Sequence, residues 1–383
     1  MRHWSRRELL GLSSTLLVGC AVRRTSIVPP VAPLRLAPVD ARPERVIRTI
    51  VGLRPFRPSG FVVRGEKLDS KTVIHNYGHG GAGITLSWGT AQLAVQEAAK
   101  TEVRDCAVIG CGVVGLSTAS LLQRRGYTVT IYAKSIPPDT TSNVAGGLWD
   151  PTTAFDRSEI TPEFRRQFVE AGRFAFRRYQ SLVGETYSVR WLPLYHLSTD
   201  TPIQPAPSDS PYSEIEPLYP EAKQLPLNEN PFAVPYAYRR YSMLIEPAAY
   251  LNALLRDFFI MGGRIVVREF TDARELLSLP ETLLFNCTGL GARTLFNDDQ
   301  LIPIRGQLSF LLPQPEIDYM TVGPTGIYMF PRHDGILLGG SFERGKSELE
   351  PDPAITQRIL TENGKLFAGM RSLAPGKNRP RIG

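Results

Sequence analysis

Short apolar runs alternate with amphipathic stretches along most of this chain, which predicts strands and helices in turn. The run Cys106–Ile109 has the length and composition of a buried strand, and the glycine-rich sequence 110–115 follows it at once. Apolar positions at helical spacing then continue to about Arg125, and Thr128–Tyr132 is apolar and β-branched. This order of strand, glycine turn, helix and strand predicts a Rossmann-like α/β unit.

The pattern becomes that of a folded protein at Val46 and continues to about residue 368. Further helices are predicted from Thr85 or Ser87 to Lys100, and over Thr161–Leu182, Glu246–Met261 and Pro353–Ala368. Further strands are predicted over Val189–Leu197, Arg264–Val267, Leu283–Cys287, Ile304–Leu311 and Gly326–Phe330. Residues 200–235 are rich in proline, serine and acids, which predicts a long surface excursion.

The glycine sequence has the spacing of a dinucleotide-binding fingerprint. In such a turn Gly110 permits the tight bend, Gly112 lets the backbone approach a pyrophosphate, and Gly115 lets the helix pack on the strand. The first turn of the helix offers unpaired N–H groups to the phosphates. A nucleotide site is therefore predicted, with a merely tight turn as the alternative.

The charge is unevenly distributed and argues against nucleic acid as a partner. The formal charge is +7, but residues 1–67 carry 13 Lys and Arg against four Asp and Glu, whereas the remainder carries 31 against 33. A near-neutral body lacks the basic surface that nucleic acid requires. Cys106, Cys111 and Cys287 show neither a disulfide framework nor metal-ligand spacing.

The first residues resemble an export signal. Arg6 and Arg7 form a twin arginine, a short apolar stretch follows, and the sequence LVGC ending at Cys20 resembles the lipobox of bacterial lipoproteins. We therefore expect an exported protein that a lipid on Cys20 anchors to a membrane; an ordinary signal peptide or an early start codon is the alternative. The proline-rich residues 21–45 are predicted to be an extended tether.

Seven segments together resemble the D-amino-acid oxidase family of FAD enzymes. They are GLRPFRP (52–58), VIHNYGHGGAGITLSWG (73–89), CAVIGCGVVGLSTA (106–119), TTSNVAGGLWDP (140–151), NCTGLGA (286–292), IPIRGQ (302–307) and YMFPRHDGILLGG (328–340). The resemblance implies FAD as cofactor, and a Rossmann-like FAD-binding domain with an interleaved, mixed-β substrate domain.

The order of these segments differs from that of the family. Family members begin with the glycine fingerprint and end with the first two segments, which here precede it, so the resemblance implies a circular permutation. We then expect Val46 and the helix ending near Ala368 to be spatial neighbours. The expected division is a leader (1–20), a tether (21–45), an FAD-binding domain (46–147 and 243–300), a substrate-binding domain (148–242 and 301–370) and a basic tail (371–383).

The resemblance also implies roles for individual residues at the substrate. Arg54 matches the arginine that grips the substrate carboxylate, Tyr328 matches a tyrosine that contacts the same group, and the carbonyl of Gly81 matches the acceptor for the amine. A structural ion pair for Arg54 and a core position for Tyr328 are the alternatives, and Arg57 is the expected structural arginine. His75, His79 and Cys111 are expected to be structural.

Three segments are implied to hold FAD. The fingerprint residues are expected at the pyrophosphate, the AGGL sequence at the flavin ring, and the start of the helix after Gly81 at the pyrimidine end of the flavin. The residues are Gly110, Gly112, Val113, Val114, Gly115, Thr140, Thr141, Gly146, Gly147, Leu148, Gly83, Ile84 and Thr85.

Three departures from the family pattern bear on the ligands. Tyr132-Ala133-Lys134 stands where an acid for the adenosine ribose is usual, Pro324 replaces a second active-site tyrosine, and Phe342 stands where D-aspartate-preferring members carry arginine. We expect a D-amino-acid oxidase that prefers neutral or apolar side chains and uses oxygen. A D-aspartate oxidase, a dehydrogenase with another acceptor and a non-catalytic binder are the alternatives.

Overall fold

A computed structural model describes residues 36–371, which contain six α-helices and two β-sheets. The helices are α1 (Gly83–Ala98), α2 (Val113–Gln123), α3 (Pro162–Gln180), α4 (Pro247–Ile260), α5 (Gly291–Leu295) and α6 (Pro353–Ala368). The strands are β1 (Val46–Phe56), β2 (Val62–Leu68), β3 (Lys71–Tyr77), β4 (Asp105–Ile109), β5 (Thr128–Ala133), β6 (Val189–Ser198), β7 (Lys223–Gln224), β8 (Tyr236–Ile245), β9 (Arg264–Val267), β10 (Leu283–Asn286), β11 (Ile302–Leu311), β12 (Met320–Val322), β13 (Tyr328–Arg332), β14 (Gly335–Gly339) and β15 (Glu343–Arg344).

The smaller sheet is the predicted Rossmann-like unit. Its strand order is β2-β3-β10-β4-β5-β9; β2 is antiparallel to β3, and the other pairs are parallel. Both faces are covered, so β4 is apolar at every position from Cys106 to Ile109. Cys106 and Val108 face the core shared with α1, α2 and α3, whereas Ala107 and Ile109 face a smaller core on the other side.

The larger sheet has nine strands in the order β1-β11-β14-β13-β12-β6-β8-β7, with β15 paired to β11. Strand β1 pairs antiparallel with β11 from Val46 opposite Leu311 to Phe56 opposite Ile302. Residues 46–56 therefore belong to this sheet and not to the predicted FAD-binding part. Helix α3, assigned by the sequence to the substrate-binding part, packs in the core of the smaller sheet.

The residues before β1 are not a free tether over their described part. Val39 and Ala41 are buried in an apolar cluster that includes Leu366 and Phe367 of α6. The tether prediction is therefore wrong for residues 36–45, because two apolar side chains of this proline-rich stretch pack against residues from the other end of the described chain. Val46 packs on the same cluster, as expected for neighbours of α6.

The long excursion between β6 and β8 contains little regular structure. Within residues 200–235 the described structure contains short 3₁₀ turns and the two-residue β7. The prediction of a surface excursion is only partly right, because Ile215 is buried in the core of the smaller sheet and Phe232 in the cluster of α6. Strand β8, which follows the excursion, was not predicted. In the described range, 36–371, no helix is long and apolar enough to cross a bilayer.

Candidate active site

A cavity of about 1630 Å³ lies where the glycine turn of the smaller sheet meets the larger sheet. This exceeds the roughly 300–1,000 Å³ that is typical for small-ligand pockets, so it can hold a dinucleotide together with a substrate. The predicted site residues that line it are Arg54, Gly81, Gly83, Ile84, Gly110, Gly112, Val113, Val114, Thr140, Thr141, Gly146, Gly147, Leu148 and Tyr328. Gly115 and Thr85 do not line it, and Cys20 lies outside the described residues.

The glycine turn has the geometry that its fingerprint predicts, except that Gly115 serves packing and does not contact the ligand space. Gly110 has φ +112°, and a Cβ there would lie 2.5 Å from the carbonyl oxygen of Cys287. Only glycine adopts such a backbone readily. A Cβ at Gly115 would lie 2.0 Å from the carbonyl oxygen of Gly110. Gly115 therefore lets α2 approach the turn and does not itself face a ligand.

Gly115→Ala is expected to destabilise the protein by about 1–3 kcal/mol, because backbone must move to admit the methyl group. Gly364→Ala is the matched control: this helical glycine of α6 has open space where the methyl group would be added, and alanine should stabilise the helix by about 0.5–1 kcal/mol. Urea denaturation of both variants measures the difference. Equal stability of Gly115→Ala and the parent would contradict the packing role.

Arg54 points into the cavity from β1 and has no acidic partner among residues 36–371. Its guanidinium lies over Gly306 of β11, where a Cβ would come within 2.4–2.7 Å of it. Its Nη1 donates a long hydrogen bond, 3.5 Å, to the carbonyl oxygen of Ser341. Arg57 instead donates to Asp298 at 3.0 Å. Arg57 is thus the structural arginine, and Arg54 remains available for an anionic ligand.

Tyr328 stands beside Arg54 on the larger sheet. Its ring lies over Gly339 of β14, since a Cβ there would meet ring atoms at 2.1 Å, and it stacks on Phe330 at 5.0 Å between centroids. Burial raises the pKa of Tyr328, and the nearby Arg54 cation opposes the shift. The hydroxyl therefore stays protonated at neutral pH and can donate to the ligand that Arg54 binds.

Gly81 completes a constellation around Arg54. A Cβ on Gly81 would lie 3.5 Å from Arg54 Cδ and 2.0 Å from Thr153 Oγ1. The Gly81 N–H donates to the carbonyl oxygen of Thr153 at 3.2 Å. Thr153 has φ +57°, which is strained for a β-branched residue and is typical of functional sites. A cation, a phenol and a glycine backbone therefore surround one small volume.

Comparison with known proteins identifies the family. The family model described as "DAO: FAD dependent oxidoreductase" matches residues 32–97 and 105–379. The chain belongs to this family of FAD-dependent oxidoreductases. A D-amino-acid oxidase of Rubrobacter xylanophilus is 29% identical over 72% of this chain and 83% of that protein. A human D-aspartate oxidase is 28% identical over 67% of this chain and 73% of that protein.

Solved structures agree in fold. Glycine oxidase from Geobacillus kaustophilus superposes with a TM-score of 0.51 at 16% identity, over 70% of this chain and 78% of that one. Iminodiacetate oxidase from Chelativorans gives 0.51 at 14% identity, over 69% and 79%. These structures confirm the predicted α/β fold, and the family model confirms FAD as the cofactor.

The cavity residues of this DAO-family chain fit FAD. Helices α1 and α2 both begin at the cavity wall, and neither has a side-chain cap at its own N-cap residue, Ala82 or Gly112. Two helix N-termini provide positive ends for the pyrophosphate and for the pyrimidine edge of the flavin. One N–H of α2, that of Val113, donates to Ser142 Oγ at 3.0 Å.

The segment expected at the flavin ring is held by backbone contacts. Gly147 has φ +93°, and a Cβ there would lie 2.0 Å from the carbonyl oxygen of Ile245. Thr85 donates from Oγ1 to the carbonyl oxygens of Leu148 and Asp150, at 3.3 and 3.1 Å. Thr85 therefore positions this segment against α1 and does not line the cavity, which corrects its predicted role.

Where the adenosine of FAD is expected, the cavity wall carries both a cation and a carboxylate. Lys134, which stands near the usual ribose acid, has its Nζ 3.4 Å from Glu269 Oε1, and both residues line the cavity. Glu269 follows β9, the strand next to β5. A carboxylate from the neighbouring strand therefore lies near the position of the missing acid.

The histidines and the cysteine are placed as structural residues. His79 Nε2 lies 2.8 Å from Thr90 Oγ1, and burial lowers its pKa to about 3. His75 lies between Asn286 and Glu66, with ring-nitrogen distances of 3.0 and 3.1 Å, and burial lowers its pKa despite the carboxylate. Burial raises the pKa of Cys111 to about 12, so the thiol stays protonated at neutral pH.

Three polar residues of the cavity region were missed from the sequence. Asp150 and His196 line the cavity, and Arg240 of β8 lies behind Asp150 with Nη2 2.7 Å from Oδ2. Asp150 ends the AGGLWD segment, so its position beside the flavin-facing glycines was a signal that could have found it. Arg240 and His196 lie on strands that no motif marks.

Proposed function

We propose that this protein is a D-amino-acid oxidase that converts D-amino acids to 2-oxo acids, ammonia and hydrogen peroxide. The observation that carries the proposal is Arg54: a guanidinium in the cavity wall without an acidic partner in the described chain, with Tyr328 and Gly81 around it. A planar cation beside a protonated phenol suits an α-carboxylate. The relatives named above support an amino acid as the substrate class.

The chain's own contribution is orientation. Arg54 and Tyr328 bind the carboxylate, and the Gly81 carbonyl accepts a hydrogen bond from the amine. With these two groups held in place, the directions of the α-hydrogen and the side chain are fixed as well. When bound, FAD supplies the acceptor that takes the α-hydrogen as hydride at N5 and passes the electrons to oxygen. In this proposal the hydride transfer uses no side-chain base, as the resemblance to the family implies. His75 and His79 instead contact Asn286 and Thr90.

The side chain of the substrate is proposed to be non-acidic. Phe342 is 53% exposed at the cavity wall, and its ring centroid lies 5.9 Å from Arg54 Cζ. By the family resemblance, D-aspartate-preferring members carry an arginine at this position. An aromatic ring there offers apolar contact but no charge for a second carboxylate.

The proposal is tested by assaying the purified flavoprotein with D- and L-amino acids under air. Peroxide and ammonia should form in equal amounts from D-amino acids and be absent with the L-isomers. Substrate-dependent dye reduction without peroxide would instead identify a dehydrogenase. A protein that purifies without a flavin spectrum would indicate a non-catalytic binder.

We further propose that the chain is exported and anchored by a lipid on Cys20. The twin arginine and the LVGC sequence support this proposal. Cys20→Ser should move the protein from the membrane fraction to the soluble exported fraction without changing its flavin content. An unchanged distribution of the two proteins would contradict the anchor.

A further inference from the structure

A row of side chains leads from the carboxylate site across the larger sheet. Tyr328 of β13 lies opposite Val322 of β12, Val322 opposite His196 of β6, and His196 opposite Tyr238 of β8. Residues paired in this way project from the same face of a sheet. Adjacent strands are about 4.8 Å apart, so His196 lies about two strand spacings from Tyr328. The cavity wall follows this row as far as His196.

The far end of the row carries a buried ion pair. Arg240, two residues after Tyr238 and on the same face of β8, holds the carboxylate of Asp150 at 2.7 Å. Asp150 and Arg240 are each 11% exposed at the side chain. Because Asp150 lines the cavity, a ligand there meets its accessible surface. Arg240 is not part of the lining; its guanidinium lies 3.6 Å from the centre of the Tyr219 ring.

The chemistry of this end is that of a hydrogen-bond acceptor. Burial raises the pKa of Asp150, and the Arg240 cation opposes that shift. A carboxylate can accept several hydrogen bonds, and Arg240 donates to only one of its two oxygens, Oδ2. Burial and the Arg240 cation lower the pKa of His196 to about 3, so the imidazole carries no charge and can also accept. A buried ion pair is weak evidence of stabilisation, and this one places a carboxylate at the cavity wall, where a ligand can reach it.

From this arrangement we infer that the site selects D-amino acids with a long, cationic side chain, whose terminal ammonium or guanidinium binds Asp150 beside His196. The inference rests on the proposed function, since Arg54 and Gly81 fix the α-carbon from which the side chain extends. It replaces the expected neutral or apolar preference. Phe342 offers no charge to an acidic side chain, and its ring can cover the aliphatic part of a basic one.

D-Lysine and D-norleucine test the inference, because they share chain length and differ mainly in the terminal ammonium. The ratio of kcat/KM for D-lysine to that for D-norleucine should exceed ten in the parent holoenzyme and fall at least tenfold in Asp150→Asn. Glu246→Gln is the matched control. It removes another buried carboxylate, paired with Arg190 at 3.0 Å but away from the cavity lining, and should leave the ratio unchanged.

Loss of one partner leaves Arg240 buried without its carboxylate, and Asp150→Asn could then fail to fold. The double variant Asp150→Leu/Arg240→Met removes both charges and should show the same loss of ratio. A parent ratio of one or less, greater activity on D-aspartate than on D-lysine, or an unchanged ratio in either variant overturns the inference. D-Norleucine turnover by the parent would still support the proposed function, whereas no turnover of any D-amino acid would reject that function as well.

Discussion

Replacing Arg54 by alanine is expected to lower kcat/KM for D-alanine at least a hundredfold. The guanidinium is the cation that we place on the substrate carboxylate, and hydrogen bonds to charged groups contribute about 1.5–3 kcal/mol each. A loss of about 3 kcal/mol in transition-state binding corresponds to about two orders of magnitude in rate. Steady-state peroxide kinetics measure it, with the flavin spectrum recorded to show that the cofactor is retained.

Arg57→Ala is the matched control for this prediction. Arg57 lies three residues further along and is used in the ion pair with Asp298. Its loss should lower the melting temperature and change kcat/KM only slightly. Turnover of D-alanine by Arg54→Ala at the parental rate would show that this arginine is not the carboxylate ligand.

Deleting residues 36–100 is expected to abolish FAD binding altogether. The segment supplies β3 of the smaller sheet, the start of α1 at the cavity, and Arg54 on β1. Without it, β10 and β11 each lose a neighbouring strand and the core beneath α1 opens. The deleted chain should be colourless after purification, and titration with FAD should give no quenching of flavin fluorescence.

Moving residues 36–100 behind residue 371 tests whether the site needs these residues at all or needs them at the start of the chain. The hydroxyl of Tyr319 donates to the carbonyl oxygen of Ala37 at 2.7 Å and lies 3.6 Å from Met370 Sδ, so the two ends are close. A gene encoding residues 101–371, a glycine–serine linker of about eight residues and residues 36–100 would restore the usual family order. FAD binding and turnover should return. A colourless reordered chain would contradict the proposed circular permutation.

The sequence predicted the local elements well and their partners less well. Periodicity placed α2, α4, α6 and β9 close to their observed bounds, because helix and strand periods and glycine stops are local signals. It did not predict strand β1, and residues 46–56 were placed in the FAD-binding part, since pairing with β11 depends on residues from the far end of the chain. Residues 36–45 were misread for the same reason.

For the site too, residues within local motifs were predicted, whereas residues that depend on long-range pairing were not. Arg54, Gly110 and Tyr328 line the cavity as predicted. Each lies in a short motif that can be recognised from neighbouring residues alone. Asp150 and Arg240 were missed because they form an ion pair only in the folded protein, between a loop and a strand 90 residues later. Arg239 and Arg240 also interrupt the apolar pattern of β8, so the strand that carries the pair was not predicted either.

We propose that the α-hydrogen of a D-amino acid is transferred to FAD in this cavity. This proposal is tested most directly by mixing the purified holoprotein anaerobically with D-alanine or D-lysine and, separately, with their L-isomers, while following the visible flavin absorbance. The D-isomers should bleach the flavin, admitting air should restore the absorbance with formation of peroxide, and the L-isomers should leave the absorbance unchanged. Bleaching by the L-isomers to the same extent, or by neither isomer, would contradict the proposal.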